Sequence, residues 1–164
     1  MNPATDALRN SGPRKFLVVI DRSAELRAAL RFACRRARHT GGQVALFHAV
    51  PSAEFHHFAG IGELMDREAR TDAEHLLQEV AQEVQRQTGT FPTLYFREGD
   101  TTEQLLAVIA ADPSFSVLVL GAGFGADGPG PLVSGLSGRL AGKVRIPVTI
   151  VPGDLSDVQI DALS

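Results

Sequence analysis

The chain has 164 residues, of which 44% are hydrophobic and 21% are charged, and its formal net charge is −3. This size and balance fit one globular domain with a single buried core. A negative net charge without a long basic run argues against a nucleic-acid-binding protein, because such proteins depend on neutralising phosphates. The lone cysteine, Cys34, excludes an internal disulfide and a cysteine-rich metal site.

Residues 1–14 have the composition of a disordered amino-terminal arm. They are polar and include Pro3, Gly12 and Pro13, unlike the apolar core of a secretory signal peptide. No apolar run in the chain approaches the ~20 residues that cross a membrane. The sequence therefore predicts a soluble, cytoplasmic protein whose domain begins at Lys15.

The chain then reads as a strand, a helix and a second strand. The apolar run over residues 15–21 predicts the first strand, with Asp21 at its carboxyl end. Ser23 is a good N-cap for the helix that follows, and Gly41-Gly42 ends that helix. Residues 43–50 predict the second strand. One helix face is basic and is expected to be solvated or to meet an acidic partner; it carries Arg27, Arg31, Arg35 and Arg38.

The middle of the chain predicts a long helix, a third strand and another helix. Apolar residues recur at helical spacing over residues 61–88. Their predicted buried positions are Leu64, Met65, Ala69, Ala73, Leu76, Leu77, Val80, Ala81 and Val84. Residues 92–97 predict the third strand. The next helix can begin with either of two capping boxes, Asp100 with Glu103 or Thr101 with Gln104.

The segment from Val117 to Val151 organises the candidate site. Its two apolar runs, Ser116–Leu120 and Pro147–Val151, predict strands four and five, buried on both faces as in a parallel sheet. Between them lie a Gly- and Pro-rich loop and a predicted short helix over residues 136–143, which Ser134-Gly135 opens. Such a loop is a common phosphate site, because free N–H groups and the helix dipole point there.

The element order βαβαβαβαβ predicts an α/β domain with a parallel sheet and right-handed crossovers. The predicted domain covers residues 15–152. Residues 153–164 form a tail with no clear element.

Four segments in the same order resemble the universal stress protein family. They are FLVVIDRSAELRAALRFACRRA, VALFHAVP, REGDTTEQLLAVIAA and IPVTIVP. The resemblance extends from Phe16 to Pro152. It implies a three-layer α/β/α fold around an open five-stranded parallel sheet of order 3-2-1-4-5, with a topological switch between strands one and four.

The resemblance also implies a ligand crevice at that switch point. Ile20 and Asp21 would line it from strand one, and Gly121 and its loop from strand four. Ala49 and Val50 would border the adenine side. In nucleotide-binding members an Asp lies near the ribose, and a Gly-x2-Gly-x9-Gly-Ser loop wraps the phosphates. The candidate binding residues are therefore Ile20, Asp21, Ala49, Val50, Gly121, Phe124, Ser134, Gly135 and Leu136.

The loop of this chain departs from the family pattern. Phe124 replaces the second glycine, and Ser134-Gly135 reverses the final pair. Asp127 adds negative charge, and no Lys or Arg lies between Gly121 and Gly138. Pro129 and Pro131 each lack a backbone donor. The resemblance implies ATP as the cofactor, whereas the loop residues argue against tight ATP binding and leave the cofactor unknown.

Several candidate residues also have a structural explanation. Asp21 can hold a ribose hydroxyl or be a solvated acid at a strand end. Ser134 and Ser137 can bind phosphate or cap a helix. His56 and His57 lack the partners of a tetrahedral metal site. His48 is expected in a satisfied hydrogen bond at a strand end, and Cys34 in the core.

The sequence shows no set of residues for nucleophilic catalysis. It lacks a Gly-x-Ser-x-Gly elbow, so enzyme activity remains only as slow ATP hydrolysis inherited from the family. Three functions stay open: a non-enzymatic stress-response module with an eroded nucleotide site, an ATP- or AMP-binding switch, and a binder of another small ligand in the same crevice.

The fifth strand predicts a homodimer. The family order places it at the sheet edge, where an uncharged strand is a template for pairing with another copy. Its contact residues would be Val148, Thr149, Ile150 and Val151. The Thr149 N–H is expected to point outward, and no clear helix follows to cover the strand.

Overall fold

The computed structural model describes residues 12–52 and 61–164, and these residues form five strands and five helices. The strands are β1 Lys15–Val19, β2 Gln43–Val50, β3 Thr93–Glu98, β4 Phe115–Ala122 and β5 Val148–Pro152. The helices are α1 Leu26–Thr40, α2 Ile61–Thr88, α3 Thr101–Ala111, α4 Pro131–Leu136 and α5 Asp157–Leu163. Most of the predicted amino-terminal arm and the residues around His56 and His57 lie outside the described ranges.

The five strands form one parallel sheet of order β3-β2-β1-β4-β5, which confirms the predicted fold. The central strand is apolar on both faces: Leu17 and Val18 are fully buried on opposite sides. Helices α1, α2 and α5 cover the Val18 face. Helices α3 and α4 cover the Leu17 face. The sheet is therefore the middle of three layers, and the strand order reverses between β1 and β4.

The turn between β1 and α1 differs from the prediction that Ser23 caps the helix. The N-cap is Glu25, which makes no side-chain capping bond. Ser23 instead donates its N–H and its hydroxyl to Oδ1 of Asp21. This short-range bonding ties the turn to the end of β1, so α1 begins later than the sequence predicts.

The start of α3 settles the choice between the two capping boxes. Asp100 is the N-cap and accepts the Glu103 N–H at 2.9 Å. This bond satisfies one of the free donors of the first turn. The carboxylate of Asp100 is thereby fixed at the carboxyl end of the sheet.

The short helix after β4 lies earlier than predicted. It begins at Pro131, whose fixed φ suits the first helical position, and its N-cap Gly130 has φ 101°. It ends at Leu136, and turns follow as far as Lys143. Ser134 and Gly135 therefore lie at its carboxyl end and do not open it.

The carboxyl-terminal residues form a helix, which the sequence analysis did not assign. Ser156 caps α5 through a reciprocal capping box with Gln159. Ile160 is fully buried in the core against α1. The signal was present in the sequence, because a Ser with a Gln three residues later is a helix-start pattern.

Helix α5 is the acidic partner of the basic face of α1. Arg31 holds both carboxylate oxygens of Asp161, at 2.7 and 2.8 Å. Arg35 contacts the same carboxylate at 3.1 Å, and Arg27 pairs with Asp157. The hydrogen bond from Arg31 lowers the pKa of Asp161 from its ordinary value. The arginines are thus engaged within the chain.

The predicted apolar stripe of α2 is buried only in its second half. Ala73 and the later stripe residues are in the core. Leu64 and Met65 are 58% and 54% exposed, and Ala69 is also exposed. A helix of 28 residues is about 42 Å long, whereas an eight-residue strand spans about 26 Å. The first half of the helix therefore extends beyond the sheet it packs on.

A polar cluster joins three strands at the amino-terminal end of the sheet. Oδ2 of Asp112 accepts from Lys15 Nζ at 2.8 Å and from the Tyr95 hydroxyl at 3.0 Å, and Oδ1 accepts from Ser114. Burial alone would raise the pKa of Asp112, but these hydrogen bonds outweigh it and hold the pKa well below its usual range. The cluster links β1, β3 and the start of β4.

Candidate ligand crevice

The crevice lies where β1 and β4 end side by side and the chain turns to opposite faces of the sheet. It consists of two adjoining pockets that share Asp21 and Pro131. The larger has a volume of about 370 Å³, and the smaller, beside Gly121, of about 80 Å³. The larger pocket falls within the range of small-molecule sites, ~300–1,000 Å³, and the smaller one does not.

The larger pocket brings together three of the predicted residues. Ile20, Asp21 and Ala49 all line it. The sequence analysis did not include the other polar lining, His48 from β2 and Asp100, Thr101 and Thr102 from the start of α3. The capping pattern at residue 100 was recognised, but no sequence pattern indicates that this helix start faces the crevice.

The Ile20 backbone and the Asp21 side chain are held by local bonds. Ile20 donates its N–H to the Phe47 carbonyl at 2.7 Å, and its carbonyl lies 2.6 Å from Nδ1 of His48. The expected hydrogen bond of His48 at the strand end is thereby confirmed. Asp21 uses Oδ1 for Ser23, so Oδ2 remains free of those bonds.

Five of the predicted residues line neither crevice pocket: Val50, Phe124, Ser134, Gly135 and Leu136. Val50 borders a separate pocket beside α2, because successive strand residues point to opposite faces and Ala49 takes the crevice side. Ser134, Gly135 and Leu136 lie at the end of α4, and Leu136 is buried in the core. The early start of α4 is the reason, since Pro131 and Leu132 occupy the crevice position instead.

The glycine loop after β4 is closed by bonds within the chain. Gly121 lines the smaller pocket as predicted. Phe124, in contrast, is 62% exposed and lines neither pocket. The Gly123 N–H donates to the Pro129 carbonyl and the Gly128 N–H to the Gly125 carbonyl, each at 3.2 Å. These donors are therefore not directed at a ligand.

Glu25 occupies the space that the glycines leave open. A β-carbon placed on Gly121 would lie 2.5 Å from the Glu25 carbonyl oxygen, and one on Gly153 would lie 2.6 Å from the Glu25 β-carbon. A β-carbon on Gly123 would lie 3.4 Å from Oε1 of Glu25. Packing against Glu25 thus explains the absence of side chains at Gly121 and Gly153, whereas a β-carbon on Gly123 would first meet the Gly128 carbonyl oxygen, at 2.6 Å. Glu25 was not predicted as a site residue, because an acid in the first turn of a helix is an ordinary helix-start pattern.

The crevice is acidic. Asp21 and Glu25 line the smaller pocket, and Asp21 and Asp100 line the larger one. Among the described residues that line the two pockets, none is a Lys or Arg. Within residues 12–52 and 61–164, no group of three or more His, Cys, Asp or Glu side chains is arranged to hold a metal ion. In the same ranges no helix is long and apolar enough to cross a bilayer.

Sequence and structure comparisons identify the family. The family model of the universal stress proteins matches residues 12–152. No curated protein matches the chain in sequence. Among solved structures, the universal stress protein UspA from Lactobacillus plantarum has a TM-score of 0.70 at 15% identity, over 87% of this chain and 99% of that chain.

Two similar structures contain nucleotides. A universal stress protein from Archaeoglobus fulgidus in complex with dAMP has a TM-score of 0.61 at 17% identity, over 86% of this chain and 98% of that chain. A universal stress protein in complex with cAMP has a TM-score of 0.57 at 18% identity, over 87% of this chain and 98% of that chain. At these identities the structures establish the fold, and the family model establishes the lineage: the chain belongs to the universal stress protein family.

Proposed function

We propose that this chain is a non-enzymatic universal stress protein module, which acts by binding a ligand or a partner and has lost tight ATP binding. The observation that carries the proposal is the internal bonding of the loop after β4. Phosphate sites of this kind need free backbone N–H groups at a helix start. Here Gly123 and Gly128 donate within the loop, and Pro131 at the start of α4 has no N–H.

The charge of the site supports the same proposal. ATP carries several negative charges, and its phosphates would approach Asp21 and Glu25 with no lysine or arginine among the described lining residues to offset them. The smaller pocket, at about 80 Å³, is also below the size of ordinary ligand sites.

An ATP- or AMP-binding switch is the second candidate. It is favoured by the larger pocket, which assembles Ile20, Asp21 and Ala49 as the family resemblance implies. It is also favoured by the dAMP and cAMP complexes of similar proteins. The two candidates differ in the affinity for phosphates.

Calorimetry with Mg-ATP tests the proposal. We expect a dissociation constant weaker than about 100 μM, which corresponds to less than roughly 5.5 kcal/mol of binding. A low-micromolar constant would establish the switch instead. Phe124→Gly serves as the loop control: its side chain lines neither pocket, so we expect ATP affinity to stay within about twofold of the native value.

We also propose that the module is a homodimer that pairs through β5. This strand lies at the sheet edge and bonds only β4 within the sheet. Ile150 is 44% exposed, and an apolar groove of about 310 Å³ beside the strand is lined by Val144, Ile146 and Val148, among others. Val151, in contrast, is buried in the core and is not available for contact.

The hydrogen bonds between β4 and β5 show that the Thr149 N–H does not point outward, contrary to the expectation from sequence. Leu118 donates to the Pro147 carbonyl and Gly153 donates to the Ala122 carbonyl. In a parallel pair the N–H groups of alternate residues face the same neighbour, so the Thr149 N–H points toward β4. The outward donors of β5 are therefore Val148 and Ile150.

A further inference from the structure

We infer that the crevice selects a phosphate-free, donor-rich ligand of about nucleoside size, and that Glu25 is the residue that excludes phosphate. The inference rests on the proposed function, since it names the ligand class of the same crevice. It depends on three features: the size of the larger pocket, the polar atoms that line it, and the position of the Glu25 carboxylate.

The two pockets differ in what they can hold. The larger one has a volume of about 370 Å³, with an apolar lining that includes Val19, Ile20 and Ala49 and a polar lining that includes Asp21, His48 and Asp100. Sites of this size and mixed lining bind one small organic molecule. The smaller pocket, at about 80 Å³, cannot take a second ring system. A ligand therefore places its main body against β1 and β2.

The polar side-chain atoms around the larger pocket are mostly hydrogen-bond acceptors. Asp21 retains Oδ2, and Asp100 retains one carboxylate oxygen beyond the one that Glu103 uses. His48 directs Nδ1 at the Ile20 carbonyl. Since a carbonyl oxygen only accepts, Nδ1 carries the hydrogen of that bond, and in the tautomer protonated only at Nδ1 the Nε2 atom is an acceptor. Only the hydroxyls of Thr101 and Thr102 add donors to the polar side chains of this lining.

A pocket rich in hydrogen-bond acceptors selects a ligand that carries hydrogen-bond donors. A site built to pair with hydroxyl or amino groups rejects analogues that lack them, because the polar atoms that such an analogue covers would be left without partners. Ribose hydroxyls and the amino group of a base match this lining. A phosphate offers only acceptors and negative charge, and so matches it poorly.

Glu25 extends the same selection to the smaller pocket. Its backbone and β-carbon fill the space beside Gly121 and Gly153, and its carboxylate lies near Gly123. Within the described part of the chain, that carboxylate has no hydrogen-bond or ion-pair partner. A phosphate placed in the smaller pocket would lie beside two acidic residues, Glu25 and Asp21, which line it together.

The test uses the full-length chain, with adenosine and AMP as matched probes that differ by one phosphate. Titration calorimetry at pH 7.5 should show adenosine binding at least tenfold more tightly than AMP. Glu25→Gln keeps the side-chain shape against the glycines and removes its charge. It should raise AMP affinity at least fivefold and leave adenosine affinity within twofold. Asp21→Asn should lower adenosine affinity about tenfold.

The control is Glu74→Gln, which makes the same charge change at an exposed position of α2 and should leave the ratio of the two affinities unchanged. Glu25→Ala is a second variant that lacks the carboxylate. Circular dichroism checks that each variant is folded. Equal affinities for adenosine and AMP, or an unchanged ratio in both Glu25 variants, would overturn the inference.

The two proposals fail in different ways. Low-micromolar binding of Mg-ATP would contradict the proposed function. Weak ATP binding together with no adenosine binding at millimolar concentration would overturn the ligand class alone, and the proposed function would stand.

Discussion

The space beside both Gly121 and Gly153 is occupied by the same residue, Glu25. Both follow or end a strand beside the crevice, and each would bring a β-carbon within about 2.6 Å of Glu25. Contacts that short with backbone or a β-carbon require the chain to shift. The two glycines are therefore part of the packing that holds the start of α1 against the sheet.

This packing predicts the effect of adding one methyl group. Gly121→Ala should lower the free energy of unfolding by about 2 kcal/mol, because overpacked sites cost about 1–3 kcal/mol. Gly125→Ala is the matched control in the same loop, since a β-carbon at that position would have no neighbour within 4 Å; it should change stability by less than about 0.5 kcal/mol. Urea denaturation measures both. Equal effects would show that the loop yields at Gly121.

Asp112 gives a prediction for the opposite end of the sheet. Asp112→Asn removes the anionic partner of Lys15 and weakens the bonds from Tyr95 and Ser114. Hydrogen bonds to charged groups contribute about 1.5–3 kcal/mol, so we expect a loss of about 2 kcal/mol at pH 7, measured by urea denaturation. Asp127→Asn, at an exposed position, is the charge control.

The same substitution has a defined pH dependence. The folded-state pKa of Asp112 lies below its unfolded value, which is about 3.9. The stability it contributes is therefore present above about pH 4 and is lost as the pH falls below that value toward the folded pKa. The difference between native and Asp112→Asn protein should narrow by about 1 kcal/mol at pH 3. A constant difference would assign the loss to packing.

At the scale of elements, α5 is attached by one apolar anchor and a set of ion pairs. Asp161→Asn removes the carboxylate that Arg31 and Arg35 share. We expect the amides of Ile160 and Ser164 to exchange with solvent several-fold faster at low salt. The effect should shrink in 0.5 M salt, where exposed pairs are screened. Amides of β1 should not change.

Asp154→Asn is the control for this helix, because Asp154 is exposed and forms no bond or ion pair with a described residue. Hydrogen exchange followed by mass spectrometry measures the amide exchange rates of α5 in both variants. Equal acceleration in the two would mean that the local charge, and not the contact with α1, holds the helix.

The strands and long helices were predictable from the sequence, and the short elements were not. Residues 43–50 and 61–88 were predicted with the bounds that the structure has. In both segments the pattern of apolar residues continues over many positions, which makes the type and length of the element predictable. Helix α4 has six residues, and its start depends on Pro131 and on the conformation of Gly130. Helix α5 has a capping pattern at Ser156, but its position depends on the contact of Ile160 with a distant helix, which no local pattern shows.

The candidate site was predictable only where strands end. Ile20, Asp21 and Ala49 follow from strand order, because parallel strands bring their carboxyl ends to one edge. Glu25 and Asp100 depend on how the turns after β1 and β3 fold back. Those turns are set by the hydrogen bonds of Ser23 and Glu103, which a sequence pattern does not orient.

For the whole molecule, the register of β5 predicts which substitution in this strand weakens the proposed dimer. Ile150→Pro removes an outward donor without breaking the ladder to β4, and edge strands tolerate proline. Sedimentation at micromolar concentration should show a dimer for the native chain and a shift toward monomer for this variant. Thr149→Pro is the contrast: its N–H faces β4, so it should instead lower thermal stability. A dimer indifferent to Ile150→Pro would place the interface elsewhere.

The central position of β1 also determines when the crevice comes into existence. Its neighbour β2 follows closely in the chain, whereas β4 pairs with it from about 100 residues further on. Contacts between distant segments form slowly, because a long loop must close first. The β1–β2–β3 half can therefore assemble while one edge of β1 is still open. The crevice is complete only after β4 and α4 have docked, because Gly121 lines its smaller pocket and Pro131 and Leu132 line both, so a ligand that contacts the whole crevice recognises the finished fold.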